Sequence, residues 1–158
     1  MGWSYLGHER PKGVSVREYL LQMMGADRER VIACSVVGNK VAYMAFRARD
    51  SAGEMTRVVA LVFLVEERDH DFGWKCIDET MGPVETECPE KILKLLTPLE
   101  ENEGYAEEWR RKCWERIEKR KARPTFRVGD VVTFEEDIEF VGGGKAQCPP
   151  RKSPQPRP

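Results

Sequence analysis

The chain has 158 residues, of which 41% are hydrophobic and 34% are charged, and these values are typical of one water-soluble globular domain. Its 26 basic and 27 acidic residues give a formal net charge of -1, which excludes a strong overall attraction to nucleic acid or to acidic membranes. The longest apolar run, residues 58–65, is much shorter than the ~20 residues of a membrane-spanning helix. No membrane partner is therefore expected.

The first element along the chain is predicted to be a helix over about residues 15–24. Ser15 and Glu18 form a capping box, and apolar residues then recur at helical spacing. Gly25 follows directly, and a glycine at this position is typical of a helix C-terminal cap.

The next forty residues change to the pattern of an antiparallel meander. Two apolar runs, residues 31–37 and 41–46, flank Gly38 and Asn39, which predicts a β-hairpin. A third run, residues 55–65, is apolar at nearly every position. We expect this third strand to be covered on both faces.

Residues 66–83 show no regular period and are predicted to form a long irregular connection. Loops of this length inside a compact domain are usually functional or are ordered by their own side chains. The Met-Gly-Pro turn at residues 81–83 ends the connection. Pro89 and Glu90 then favour the start of a second, largely buried helix that ends before Pro98.

A third helix is predicted over about residues 105–121, followed by two short strands over residues 126–134 and 138–141. Gly129-Asp130 resembles the opening turn of small SH3-like barrels. Residues 142–158 contain glycine, proline and basic residues but no acidic residue, so we expect a disordered tail. The third helix should bury one stripe of side chains at helical spacing: Ala106, Trp109, Cys113 and Ile117.

These elements predict an α+β fold with one domain over residues 1–141. Its antiparallel sheet would combine the three-stranded meander with the two C-terminal strands, and about three helices would pack on it. Five cysteines lie too far apart for the closely spaced ligand pairs of a structural zinc site. We therefore expect free thiols, no cofactor or metal, and a reducing, cytoplasmic location. The cysteines are Cys34, Cys76, Cys88, Cys113 and Cys148.

Three motifs follow one another along the chain: FGxKxxDETMGP at residues 72–83, CPxxILxLLTP at 88–98 and EWRxxC at 108–113. Together they resemble the signature of an uncharacterised domain family found in bacterial, plasmid and phage genomes. The resemblance implies a bacterial or mobile-element origin and a small soluble protein. It supplies no catalytic or binding residue.

The leading functional hypothesis is a non-enzymatic binding protein, an accessory or anti-defence factor of a phage or mobile element, that acts through residues 70–83. Large aromatic side chains anchor protein interfaces, and both acidic and basic residues accompany them here. The candidate binding residues are Trp74, Lys75, Asp78, Glu79, Arg110, Arg111 and Trp114.

Two alternatives remain open. The first is a small metal-dependent hydrolase or nuclease that uses Asp78, Glu79 and His70, since carboxylates and a neutral imidazole are suitable ligands and bases. The competing interpretation is that these carboxylates accept backbone N–H bonds and hold the connection in shape. The second alternative is nucleic-acid binding through the tail and a basic group of the third helix: Arg116, Lys119, Arg120, Lys121 and Arg123.

Overall fold

The computed structural model describes residues 2–49, 51–99, 103–123, 129–130, 138–139 and 145–146. The chain divides into two compact units, Met1–Arg123 and Pro124–Pro158. The first unit contains the candidate sites. Among the helices in the described ranges, none is both long and apolar enough to cross a bilayer.

The first helix follows the sequence prediction closely, whereas the strand before it lies in a segment that was predicted to be irregular. A two-residue strand β1 (Ser4–Tyr5) precedes helix α1 (Val16–Met23). The Ser15 hydroxyl accepts a hydrogen bond from the Glu18 backbone N–H at 3.1 Å, as the capping box predicts. Gly25, with φ of 54°, ends the helix and begins a 3₁₀ segment (Gly25–Arg30).

A five-stranded antiparallel sheet forms the centre of the unit, with strand order β1-β5-β4-β3-β2. The α+β fold class with an antiparallel sheet of five strands is therefore confirmed. Its four longer strands are β2 (Val31–Val37), β3 (Val41–Ala48), β4 (Arg57–Arg68) and β5 (Asp71–Asp78). The predicted hairpin joins β2 and β3, and both Gly38 and Asn39 adopt the positive φ that such a turn requires.

The prediction of an irregular connection over residues 66–83 is wrong. Residues 66–68 extend β4, and most of the remainder forms β5, which pairs with β4 through the register Arg68↔Asp71. The cluster of charged residues that suggested a loop is the solvent-exposed end of this hairpin, where side-chain charge does not interrupt the backbone ladder. The tight turn consists of Asp69 and His70, with φ of 42° and 83°.

Strands β1 and β5 thus occupy the two sheet positions that the sequence had assigned to C-terminal strands. In the second unit, Ile138–Glu139 (β6) and Lys145–Ala146 (β7) pair antiparallel as a separate two-stranded sheet. Most of the predicted strand over residues 126–134, with the likeness to an SH3-like barrel, lies outside the described residues. The same holds for most of the predicted tail, residues 142–158, and the domain boundary at residue 141 stays a prediction.

Helix α2 (Glu90–Leu93) is shorter than predicted, whereas α3 (Gly104–Lys121) matches the prediction within one residue. The chain leaves α2 early because Thr97 pairs with β4. Its backbone N–H donates to the Val58 carbonyl at 3.0 Å, and its hydroxyl accepts from the Val58 N–H at 3.3 Å. This pairing requires an extended backbone that a continuing helix could not supply.

The sheet carries one hydrophobic cluster on each face. On one face α1 packs through Tyr19 and Leu20, and on the other α2 and α3 pack through side chains that include Trp109, Cys113 and Ile117. Ala106, the fourth residue of the predicted stripe on α3, is also buried. Adjacent residues of β4 belong to different clusters, Val62 to the α3 side and Phe63 to the α1 side. The third strand is therefore covered on both faces, as its uniformly apolar sequence predicted.

Candidate protein-interaction surface

The turn after β5 is built by its own acidic residue. Asp78 Oδ1 accepts hydrogen bonds from the Thr80 backbone N–H at 2.9 Å and from the Thr80 hydroxyl at 2.8 Å. This cap starts a 3₁₀ turn (Glu79–Met81), which ends at Gly82 in the left-handed conformation with φ of 61°. The DETMG segment is consequently a compact, capped turn.

Glu79, one residue further, is completely buried and pairs with Arg110 of α3. Arg110 Nε donates to Glu79 Oε2 at 2.6 Å, and Nη2 donates to Oε1 at 2.7 Å. The Ala60 N–H of β4 also donates to Oε1 at 3.1 Å, and Arg110 Nη1 donates to the Thr97 carbonyl at 2.6 Å. The buried Glu79 carboxylate and the partly buried Arg110 guanidinium are thus both hydrogen-bonded, which is the condition for a stable ion pair in the interior.

A second contact from α3 holds the chain beyond the turn. The indole N–H of Trp109 donates to the Glu85 carbonyl at 2.8 Å, and the Trp109 ring is 1% exposed. Trp109 and Arg110, adjacent on α3, therefore fix both ends of the segment from Glu79 to Glu85. The segment is held rigidly against the start of the helix.

Three large apolar side chains remain exposed on this rigid frame. Met81, Val84 and Tyr105 are 63%, 88% and 73% exposed, and we call them the apolar surface. The Tyr105 side chain packs over Gly82, since a Cβ at Gly82 would lie 3.6 Å from the Tyr105 Cβ and Cδ1. The turn and the first turn of α3 thus present their exposed apolar groups together.

An unpartnered carboxylate oxygen adjoins this surface in sequence. Glu85 follows Val84, and its Oε2 atom is buried without a hydrogen-bond partner among the described residues. A buried carboxylate oxygen that lacks a donor costs free energy. The acidic residue beside the exposed apolar groups favours a partner that carries a cation next to its own apolar side chains.

The structure distributes the other predicted binding residues over separate environments. Trp74 packs at the edge of the hydrophobic cluster on the α1 side of the sheet (the α1 cluster), and its ring centroid lies 6.4 Å from that of Phe72. Trp114 is partly buried against the cluster on the α3 side (the α3 cluster). Lys75 is half-buried on β5, opposite Leu64. Arg111 is exposed and pairs with Glu115 one turn along the helix.

The residues of the hydrolase alternative are not brought together. His70 and Asp78 lie at opposite ends of β5, roughly 26 Å apart at the usual rise of a strand. His70 instead pairs with Glu9 and lines a polar cleft of about 490 Å³ between residues 9–13 and 67–72. Within the described ranges, no group of three histidine, cysteine or acidic residues is arranged to hold a metal ion.

The four described cysteines are free thiols, and Cys34, Cys88 and Cys113 are buried. Burial raises the pKa of Cys113 to about 11 and that of Cys76 to about 11, and it raises the pKa of Cys88 further. Their thiolate forms are correspondingly disfavoured, so these side chains act as small apolar groups in the core.

The arrangement defines a class of protein: a small α+β unit that presents an exposed apolar surface on a rigid turn. A family model described as "Domain of unknown function (DUF6927)" matches residues 100–148, about a third of the chain. The expected likeness to an uncharacterised domain family is confirmed at this level, and the matched segment includes α3. The comparison with curated proteins and the comparison with solved structures each found no match.

Sequence reasoning had selected the turn but not Val84 or Tyr105. The signal for Tyr105 was present, because this aromatic residue precedes the buried stripe of α3 and lies off its face. Val84 follows a Gly-Pro pair, and its exposure could not be read from the sequence. The structure shows Pro83 buried and Val84 beside it exposed.

Proposed function

We propose that the protein is a non-enzymatic binding module that docks a partner protein on the apolar surface of Met81, Val84 and Tyr105. The observation that carries the proposal is the combination of high exposure with a rigid frame. Exposed apolar side chains that are held in place lose little conformational entropy on binding, which is what a protein interface requires.

The chemistry of the partner follows from the surroundings of the surface. Glu85 follows Val84 in the sequence, and Glu107 is an exposed acid next to Ala106 in the first turn of α3. A partner segment with apolar side chains beside a lysine or arginine would cover the apolar surface and pair with the exposed carboxylate of Glu107.

The biological setting belongs to the proposal as well. The signature motifs resemble those of a domain family found in bacterial, plasmid and phage genomes. A small, non-enzymatic binding module suits an accessory or anti-defence factor of a mobile element. The partner would then be a bacterial cytoplasmic protein.

Site-specific photocrosslinking tests the proposal. A photoreactive phenylalanine analogue is placed at Val84 and, as a matched control, at Met55, which is 44% exposed and lies just before β4 in the sequence. Each variant is irradiated in a bacterial lysate, and the crosslinked peptides are identified by mass spectrometry. The proposal expects one partner from position 84, absent from position 55, with a basic residue near the crosslinked apolar residue.

Substitution provides the second arm. The triple variant Met81→Ser, Val84→Ser, Tyr105→Ser should lose the partner, whereas Ile32→Ser, Met55→Ser, Leu95→Ser should keep it. Thermal unfolding of both variants shows whether the fold is intact. The same proteins crosslinked from positions 84 and 55, or no product from position 84, would refute the proposal.

A further inference from the structure

A second surface lies at the other end of α3, and its chemistry differs from that of the apolar surface. Glu87, Arg116, Lys119, Arg120 and Arg123 line a cleft of about 340 Å³, which we call the basic cleft. Four cations face one carboxylate, a net charge of +3. Residues scattered over 37 positions of the sequence thus form one strongly positive concavity.

The pairing of the basic residues separates this cleft from the rest of the helix. Between residues 110 and 121, five basic side chains have carboxylate partners: Arg110, Arg111, Lys112, Arg116 and Lys121. Lys119, Arg120 and Arg123 have no carboxylate partner within the described part of the chain. All three line the cleft, so the unneutralised charge of the helix is concentrated there.

Helix stability accounts for only part of this arrangement. Cations near a helix C-terminus interact favourably with its dipole on any side of the helix. Lys121 lies in the same last turn but reaches Glu90 and Glu118, so it is neutralised outside the cleft. The dipole therefore does not explain why the unpaired cations share one side.

The opposite wall of the cleft is fixed. The backbone N–H of Glu87 donates to the hydroxyl of Tyr43 at 3.1 Å, and the Tyr43 side chain is 1% exposed in the core. The neighbouring Cys88 is fully buried. The Glu87 side chain holds Arg116 at 3.1 Å, which orients this guanidinium along the cleft. The cations consequently face a preformed wall, which limits the cost of ordering them around an anion.

We propose that the basic cleft binds phosphate groups of a polyanion, with a nucleic-acid strand as the favoured source. Arginine guanidinium groups form bidentate hydrogen bonds with phosphate oxygens. Arg116 and Arg120 lie about one turn apart on α3, and Arg123 follows just beyond the end of the helix. The described residues of the lining are all charged, so they offer contacts to phosphate and no aromatic ring on which a base could stack. A strand of phosphates fits a row of cations better than a single anion does.

The test measures binding of a fluorescein-labelled oligothymidylate to the full chain by fluorescence anisotropy. The cleft variant Arg120→Gln, Arg123→Gln is compared with Arg111→Gln, Lys112→Gln, which removes the same charge from the same helix outside the cleft. Isothermal titration with inorganic triphosphate forms the second arm. Wild-type affinity for the oligonucleotide should fall about 20-fold between 50 and 200 mM salt, as expected for about three phosphate contacts to a single strand.

The cleft variant should bind the oligonucleotide about tenfold more weakly and with a shallower salt dependence, whereas the control should change less than about twofold. If the wild type binds triphosphate but not the oligonucleotide, and the cleft variant loses the triphosphate, the basic cleft is a phosphate site whose ligand is a small polyphosphate. Equal weakening in both variants, or unchanged binding in the cleft variant, would assign the affinity to net charge or to the basic tail and overturn the proposal. Binding of neither ligand would overturn it too. None of these outcomes depends on the apolar surface.

Discussion

Glu79 and Arg110 are separated by 31 positions in the sequence and share two hydrogen bonds of 2.6 and 2.7 Å in the interior. The pair joins the first and third motifs of the signature, since Glu79 belongs to FGxKxxDETMGP and Arg110 to EWRxxC. It fixes the turn that carries Met81 relative to the helix that carries Tyr105. The geometry of the apolar surface therefore depends on this ion pair.

Removing one partner should be severely destabilising. Glu79→Ala or Arg110→Ala leaves the other charge buried without its partner, and we expect each to lower the free energy of unfolding by about 3–5 kcal/mol. The double variant Glu79→Leu, Arg110→Met should cost less than the sum, because no charge remains unpaired. Urea unfolding followed by tryptophan fluorescence measures all three. Arg111→Ala, which breaks an exposed pair on the same helix, serves as the control, and additive losses would contradict the role of the pair.

We expect Asp78 to stabilise the turn by accepting hydrogen bonds from Thr80 rather than through its charge. Asp78→Ala removes the cap on Thr80 and should cost about 1 kcal/mol, whereas Asp78→Asn retains an acceptor oxygen and should stay close to wild type. Thermal unfolding distinguishes the two. If Asp78→Asn were as unstable as Asp78→Ala, the carboxylate charge would have a role that the cap does not describe.

Gly73 is required because Tyr5 lies directly over it. A Cβ at position 73 would lie 2.4 Å from Tyr5 Cε1, so Gly73→Ala forces the ring away and breaks the hydrogen bond from its hydroxyl to Glu66. We expect a loss of about 1–3 kcal/mol, as for other overpacked sites. In the background of Tyr5→Ala the same substitution should be nearly neutral. Similar losses in both backgrounds would show that glycine is needed at position 73 for another reason.

His70 should titrate above its ordinary range. Its ring hydrogen-bonds the Glu9 carboxylate, and this bond raises the pKa of His70 from the ordinary 6.5. Because the folded-state pKa is raised, the stabilisation is fully present below about pH 6.5 and is lost as the pH rises through the raised pKa. NMR titration of the histidine rings measures the value, which should return to the ordinary range in Glu9→Gln. An unchanged titration in that variant would exclude Glu9 as the cause.

The buried thiols should resist modification until the protein unfolds. In a Cys148→Ser background the remaining cysteines are Cys34, Cys76, Cys88 and Cys113, and burial raises the pKa of each. An aromatic disulfide reagent at mildly alkaline pH should label them slowly in the native state and completely in guanidinium chloride. Fast native labelling of Cys88 or Cys113 would indicate that the α3 cluster opens.

The sequence by itself determined the elements whose signals are local. The capping box placed α1, Gly38 and Asn39 placed the first hairpin, and the apolar stripe from Ala106 to Ile117 placed α3 and its buried face. In each case the physical cause lies within a few residues, in a side-chain cap, a positive φ or a helical period. The fold class followed from these elements.

The tertiary structure decided what depends on residues far apart in the chain. Strand β5 was missed because its charged end resembles a loop, and only pairing with β4 satisfies its backbone groups. Asp78 and Glu79 looked equivalent in sequence, yet one caps a turn at the surface and the other is buried, because only Glu79 meets a guanidinium from α3. The exposure of Val84 and the basic cleft likewise depend on the packing of segments that are far apart in the sequence. A buried charge or an open cleft is a property of surroundings, and the surroundings exist only once distant segments have packed.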